Sequence, residues 1–177
     1  QAWKLFLEIE ENGGFFAAIK AGTVQKAVKA TATSRLKSVS SRREVLLGTN
    51  QFPNFSEVAA AKVEFKIEAG CGCDHTGVEK LVPVRAAEEF EALRFATEAA
   101  AKRPKAFMLT IGNLAMRLAR AQFSCNFFAC AGYEVVDNLG FKTVEEGVAA
   151  AQAAGADIIV LCSSDDEYAE LAPAAFK

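Results

Sequence analysis

The sequence predicts an α/β chain in which a helical segment leads into an unfinished parallel βαβαβα sheet. Three observations predict it. From Lys105 onward, apolar runs of strand length alternate strictly with helix-length stretches, the pattern of a parallel sheet with helical crossovers. The runs Ala106–Ile111 and Asp157–Leu161 are almost wholly apolar, as strands buried on both faces require. Capping signals punctuate the second half: Thr143-Val-Glu-Glu146 opens a helix, Gly155 closes it, and Ser164-Asp-Asp-Glu167 repeats the opening pattern with Ser164 as the expected cap.

Before that sheet, residues 1–41 read as helix. Trp3, Phe6 and Leu7, then Phe16 and Ile19, recur at helical steps. Breaks at Gly13-Gly14 and at Gly22 divide the stretch into three helices. Glu44-Val-Leu-Leu-Gly48 is a short apolar run, and 49–54 forms a turn around Pro53. The stretch 58–69 fits either helix or strand, and 70–77 is a glycine-rich loop. Pro83 precedes a helix over about 85–102 with Phe90, Leu93 and Thr97 on one face, and Pro104 stops it. The alternation then gives strand 105–111, helix 113–131, strand 133–137, helix 144–154, strand 156–162 and a helix from 165. Three strands make a small sheet, so two more are expected in a longer parent chain, and an open edge is an aggregation liability.

Composition narrows the function. Of the 177 residues 51% are hydrophobic and 24% charged, with a net charge of −2. That balance suits a globular domain and gives no global attraction to nucleic acid or anionic membrane. The basic cluster Arg35, Lys37, Arg42, Arg43 has no interleaved aromatics and reads as a solvated helix face. No uncharged run approaches the 18 residues of a membrane span. Five cysteines at irregular spacing (71, 73, 125, 130, 162) fit free thiols in a reducing cytoplasm. The chain starts at Gln1 and its only methionines are Met108 and Met116, so it is expected to be a piece of something longer.

The candidate site is the turn after the first strand. In an open parallel sheet, ligands lie at the carboxyl ends of the strands. Asn113-Leu-Ala-Met116-Arg-Leu-Ala119 offers Leu114, Met116 and Leu118 there, where chemistry needs an imidazole, a carboxylate or close backbone approach. Elsewhere the signals are weak. Cys71-Gly-Cys73-Asp74-His75 holds the only histidine, but its spacing is not C-x-x-C and no second pair follows, so no metal is expected. Glu145/Glu146 and Asp165/Asp166 sit in first helical turns, where they complement the dipole. Cys125 and Cys130 read as core thiols, and no dinucleotide or P-loop pattern occurs. No catalytic residue is expected.

Arg43-Glu-Val-Leu-Leu-Gly-Thr-Asn-Gln-Phe-Pro-Asn54, Pro83-Val-Arg-Ala-Ala-Glu-Glu-Phe-Glu-Ala-Leu-Arg94 and the stretch 104–164, in that order, resemble the methylmalonyl-CoA mutase family, and most of all its small subunits. The resemblance implies three parts: the C-terminal end of a substrate (TIM-barrel) domain over 1–56, a linker over 57–103 containing the helix 85–102, and over 104–177 the start of a flavodoxin-like, cobalamin-binding-like domain. The family's D-x-H-x-x-G motif falls on Leu114, Met116 and Ala119; its later S-x-L falls on Ser163, Ser164 and Asp165, keeping only the serine. In the family the histidine is the lower cobalt ligand and the aspartate orients it. Met116 is a neutral thioether in that place, Leu114 orients nothing, and Ala119 adds a methyl where backbone must approach the cofactor. The resemblance therefore implies a non-catalytic subunit without cofactor, in a heterodimer whose large catalytic subunit carries adenosylcobalamin and interconverts (R)-methylmalonyl-CoA and succinyl-CoA. The alternative is a degenerate module that still binds cobalamin or another small molecule.

Overall fold

The computed structural model describes residues 1–59 and 77–176. The ambiguous stretch from 60 onward and the Cys71–His75 loop lie outside them. The described chain separates into two compact units, one comprising 1–44 and 77–86, the other 45–59 and 87–176.

The first unit holds α1 (Ala2–Glu11), α2 (Gly14–Lys20) and α3 (Thr23–Ser40), divided where the glycines predict. Gly13 and Gly14 both have positive φ, 95° and 83°, a conformation that costs glycine no side-chain clash. Among the described residues of this unit Ala18, Gln25 and Val39 are buried, while Trp3, Phe6 and Phe16 are exposed. Gln25 is buried because its amide has work there, donating to the Ile19 and Glu79 carbonyls at 3.0 Å each.

In the second unit, α4 (Glu88–Ala99) is followed by β1 (Lys105–Thr110), α5 (Leu114–Cys130), β2 (Glu134–Val136), α6 (Val144–Ala153), β3 (Ile158–Cys162) and α7 (Tyr168–Ala175). The three strands form one parallel sheet in the order β2-β1-β3, with Phe107 opposite Val136 on one side and Ile159 on the other. This is an incomplete flavodoxin-like arrangement. β1 is the axis of the core, and its side chains alternate between two layers. Ala106 and Met108 pack with Ala121 and Cys125 of α5. Phe107, Leu109 and Ile111 pack with Val144 and Ala151 of α6, and Leu171 of α7 lies against the same cluster. Gly147 lets α6 come close: a Cβ there would lie 2.8 Å from Leu109 Cγ.

Four details differ from the sequence reading. α4 spans Glu88–Ala99, shorter at both ends than the expected 85–102. On α4 the buried residues are Arg94 and Thr97, while Leu93 is exposed. Burial of Arg94 is stabilised by a 2.9 Å ion pair with Glu98 and a bond from its Nη2 to the Glu57 carbonyl, so charge pairing overrides the apolar periodicity. β3 begins at Ile158, later than expected; Asp157 ahead of it accepts from Lys102 Nζ and from the Lys105 amide. α7 begins at Tyr168, with Glu167 and not Ser164 at its cap.

Candidate functional site: the crevice at the carboxyl ends of β1 and β3

β1 ends in Gly112, at φ 77°, and the chain turns into α5. Asn113 caps that helix, its Oδ1 accepting from the Met116 amide at 3.1 Å. Leu114 and Leu118 are exposed and Met116 is 37% exposed. Met116 shares with Phe123 and Phe127, seven and eleven residues on, a helix face turned away from buried Ala121 and Cys125. Ala119 is exposed on the second turn of α5.

Across the crevice, β3 ends at Cys162, and Ser163 follows fully buried. Its amide donates to the Tyr168 hydroxyl at 3.2 Å, which donates in turn to the Leu161 carbonyl. Ser164 is half-buried, and Asp165 is exposed and accepts from Arg120 Nη2 at 2.6 Å. The two halves of the site meet on a residue outside the motif. Glu167 Oε2 accepts from Ser163 Oγ (2.6 Å), Ser164 Oγ (2.7 Å) and the Ser164 amide (3.1 Å). Both its carboxylate oxygens lie 3.1 Å from the Asn113 amide nitrogen. The two hydroxyls, then the Asn113 and Ser164 amides, pull the Glu167 carboxyl down to about 2, since each of these bonds favours the charged form.

The opposite rim is tied by a cation. Arg117 donates to the Gly112 carbonyl at 3.3 Å and to the Leu139 carbonyl at 3.1 Å. Gly140, at φ 114°, adopts a backbone conformation that side chains rarely take, and a Cβ there would lie 2.7 Å from Arg117 Cζ. Asn138 braces the β2–α6 loop beneath: its Nδ2 donates to the Met108 carbonyl, and its Oδ1 accepts from Thr110 Oγ1 at 2.5 Å and from the Gly140 amide at 3.0 Å.

Thus Leu114, Met116 and Ala119 lie on the first two turns of α5, Ser163, Ser164 and Asp165 lie on the β3–α7 turn, and Glu167 and the Arg120–Asp165 pair connect them. Sequence reasoning missed Glu167, Arg117 and Asn138 as site residues. The available signal for Glu167 was Ser164-Asp-Asp-Glu167, read there as a capping pattern. Only the reach-back half of that pattern forms, from the carboxylate to the Ser164 amide. Behind the crevice, burial pushes the Cys125 thiol up to about 12 and raises Cys162 as well, so neither supplies a thiolate near neutral pH. Among the described residues no group of three or more His, Cys, Asp or Glu side chains could hold a metal ion. No described helix is long and apolar enough to cross a membrane.

Fold and crevice together define a flavodoxin-like α/β unit, three strands wide among the described residues, whose crevice at the strand ends is spanned by its own side chains. Comparison with known proteins narrows this. The family model described as methylmalonyl-CoA mutase matches residues 1–125, and the chain belongs to that family. It is 63% identical over 177 residues to the methylmalonyl-CoA mutase small subunit of Porphyromonas gingivalis, covering 99% of this chain and 28% of that protein. It is 35% identical to the small subunit of Streptomyces virginiae, over 98% of this chain and 27% of the relative. The small subunit of Propionibacterium freudenreichii subsp. shermanii is 29% identical, over 96% and 25%. The chain therefore spans about a quarter of the length of the curated relatives it matches.

Proposed function

We propose that this chain is part of the non-catalytic small subunit of a methylmalonyl-CoA mutase. In this reading it packs against a large subunit that carries adenosylcobalamin and performs the interconversion of (R)-methylmalonyl-CoA and succinyl-CoA, and it holds no cobalamin itself. Residues 1–56 would be the end of a substrate barrel, 57–103 a linker, and 104–177 the start of a cobalamin-domain fold. The thiols of Cys125 and Cys162, free and buried, accord with a cytoplasmic setting.

The observation that carries the reading is the first two turns of α5. A corrinoid lower ligand needs an imidazole held by a hydrogen-bonded partner. Here the matching positions are Met116 and Leu114, and Ala119 supplies a methyl where the motif has glycine. Met116 sits on the outward face with Phe123 and Phe127, and the carboxylate nearest the turn, Glu167, is already engaged by four donor groups. These residues do not fit the cofactor. Support for a packing role comes from the same helix. Phe123 and Phe127 are 61% and 53% exposed and stacked on each other with centroids 6.2 Å apart. Covering one such ring is worth roughly 1.5–3 kcal/mol, and a partner subunit supplies the cover.

A pull-down of the full chain with the mutase large subunit tests this. Co-purification at equal stoichiometry is expected. Failure to associate, with the chain folded by circular dichroism, would remove the partner role.

A further inference from the structure

We infer that Glu167 is the crevice's own occupant: its carboxylate takes the amide and hydroxyl donors at the carboxyl ends of β1 and β3 that an entering ligand would take. The inference rests on the reading that this chain holds no cobalamin, and adds the residue that closes the space.

Two independent features of the geometry carry it. The first is satisfaction. Ser163 is fully buried, so its hydroxyl depends on a protein partner, and Glu167 Oε2 supplies one at 2.6 Å. The Asn113 amide, orphaned by its place ahead of α5, points at the same carboxylate from the other strand. The second is volume. A Cβ built on Gly112 would lie 2.3 Å from Glu167 Oε2 and 2.6 Å from its Cδ. The side chain rests directly on the end of β1, where a ligand has to approach. Arg117 fills the other rim in the same manner, against Gly112 and Gly140.

The consequence is specific. Losing the motif groups at 114, 116 and 119 removes a ligand's attachment, and Glu167 separately removes its room and its donors. Restoring the motif alone therefore leaves the crevice shut.

The test uses four forms of the full chain: the natural sequence, Glu167→Ala, the triple variant L114D/M116H/A119G, and the triple variant with Glu167→Ala added. Each is incubated with hydroxocobalamin and desalted, and the retained corrin absorbance is titrated. Adding Glu167→Ala to the triple variant is expected to tighten binding by at least about tenfold. Equal retention by the triple variant with and without Glu167 would overturn the inference while leaving the reading of a motif-poor crevice intact. Stoichiometric retention by the natural sequence would instead overturn that reading. A second measurement is independent of cobalamin. The melting temperature of Glu167→Ala is expected to rise saturably with acetate, relative to chloride at equal ionic strength, with the natural chain unmoved. An unchanged melting temperature, or an equal rise in both proteins, would overturn the inference.

Discussion

The Glu167 carboxylate and the Asn113 amide face each other at 3.1 Å across the top of the sheet, and this contact joins the β1–α5 turn to the β3–α7 turn. An anion at the amino end of a helix meets unpaired amides and the positive end of the dipole. The crevice of this fold ordinarily offers those groups to a ligand; here a side chain of the same chain takes them.

That relationship has a pH signature. The Glu167 carboxyl is lowered from 4.5 to about 2, so between those values the unfolded chain binds the proton and the folded chain does not. Its stabilising contribution is present above about pH 4.5 and is lost as pH falls toward about 2. Melting temperatures of the natural chain and of Glu167→Gln, measured from pH 6 downward, should differ most above pH 4.5 and converge as the acid limit is approached. A difference independent of pH would contradict the assignment.

Close approach of α6 to β1 depends on Gly147. Alanine is a better helix former by about 1 kcal/mol, but its methyl would enter Leu109, a fully buried side chain. Overpacking costs about 1–3 kcal/mol, so Gly147→Ala should be neutral to destabilising by about 2 kcal/mol. Leu109→Ala should cost about 2–5 kcal/mol. Denaturant unfolding checks both, and stabilisation by Gly147→Ala would refute the packing argument.

On α4, Arg94 and Glu98 form an ion pair with side chains 7% and 2% exposed. Removing one partner of such a pair strands the other charge, at about 3–5 kcal/mol. Arg94→Ala should lose that much in denaturant unfolding. A loss below about 1 kcal/mol, the scale of a surface pair, would show that the pair is hydrated.

Phe123 and Phe127 should matter to association more than to folding. Exposed substitutions usually change stability by about 0.5 kcal/mol or less, so Phe123→Ser/Phe127→Ser should stay within about 1 kcal/mol of the natural chain. The same variant should lose recovery in the large-subunit pull-down. Undiminished recovery would place the partner on another face.

How much of this could be read from residues alone depended on whether the cause was local. The glycine breaks at 13–14 and 22, the cap at Thr143 with its 3.3 Å bond from the Glu146 amide, and Gly155 at φ 64° are local signals, and each stands where the sequence places it. The two-faced apolar run of β1 was legible for the same reason. Arg94 was not: helical periodicity assigns the core to apolar side chains, and although Glu98 lies one turn on, the Glu57 carbonyl that also receives the guanidinium is distant in sequence. Glu167 was half legible. Its reach back to Ser164 is a local pattern, whereas its contacts with Asn113 and Gly112 exist only once β1 and β3 pair. The sequence pointed to the turn holding Leu114, Met116 and Ala119, but nothing local revealed that Glu167 lies against it.

The most direct test of the central claim is equilibrium titration of the full chain with hydroxocobalamin, followed by desalting and an absorbance spectrum. A spectrum without corrin bands is expected at stoichiometric protein. Retention of about one corrin per chain would contradict it and would make the crevice a working cobalamin site despite Leu114, Met116 and Glu167.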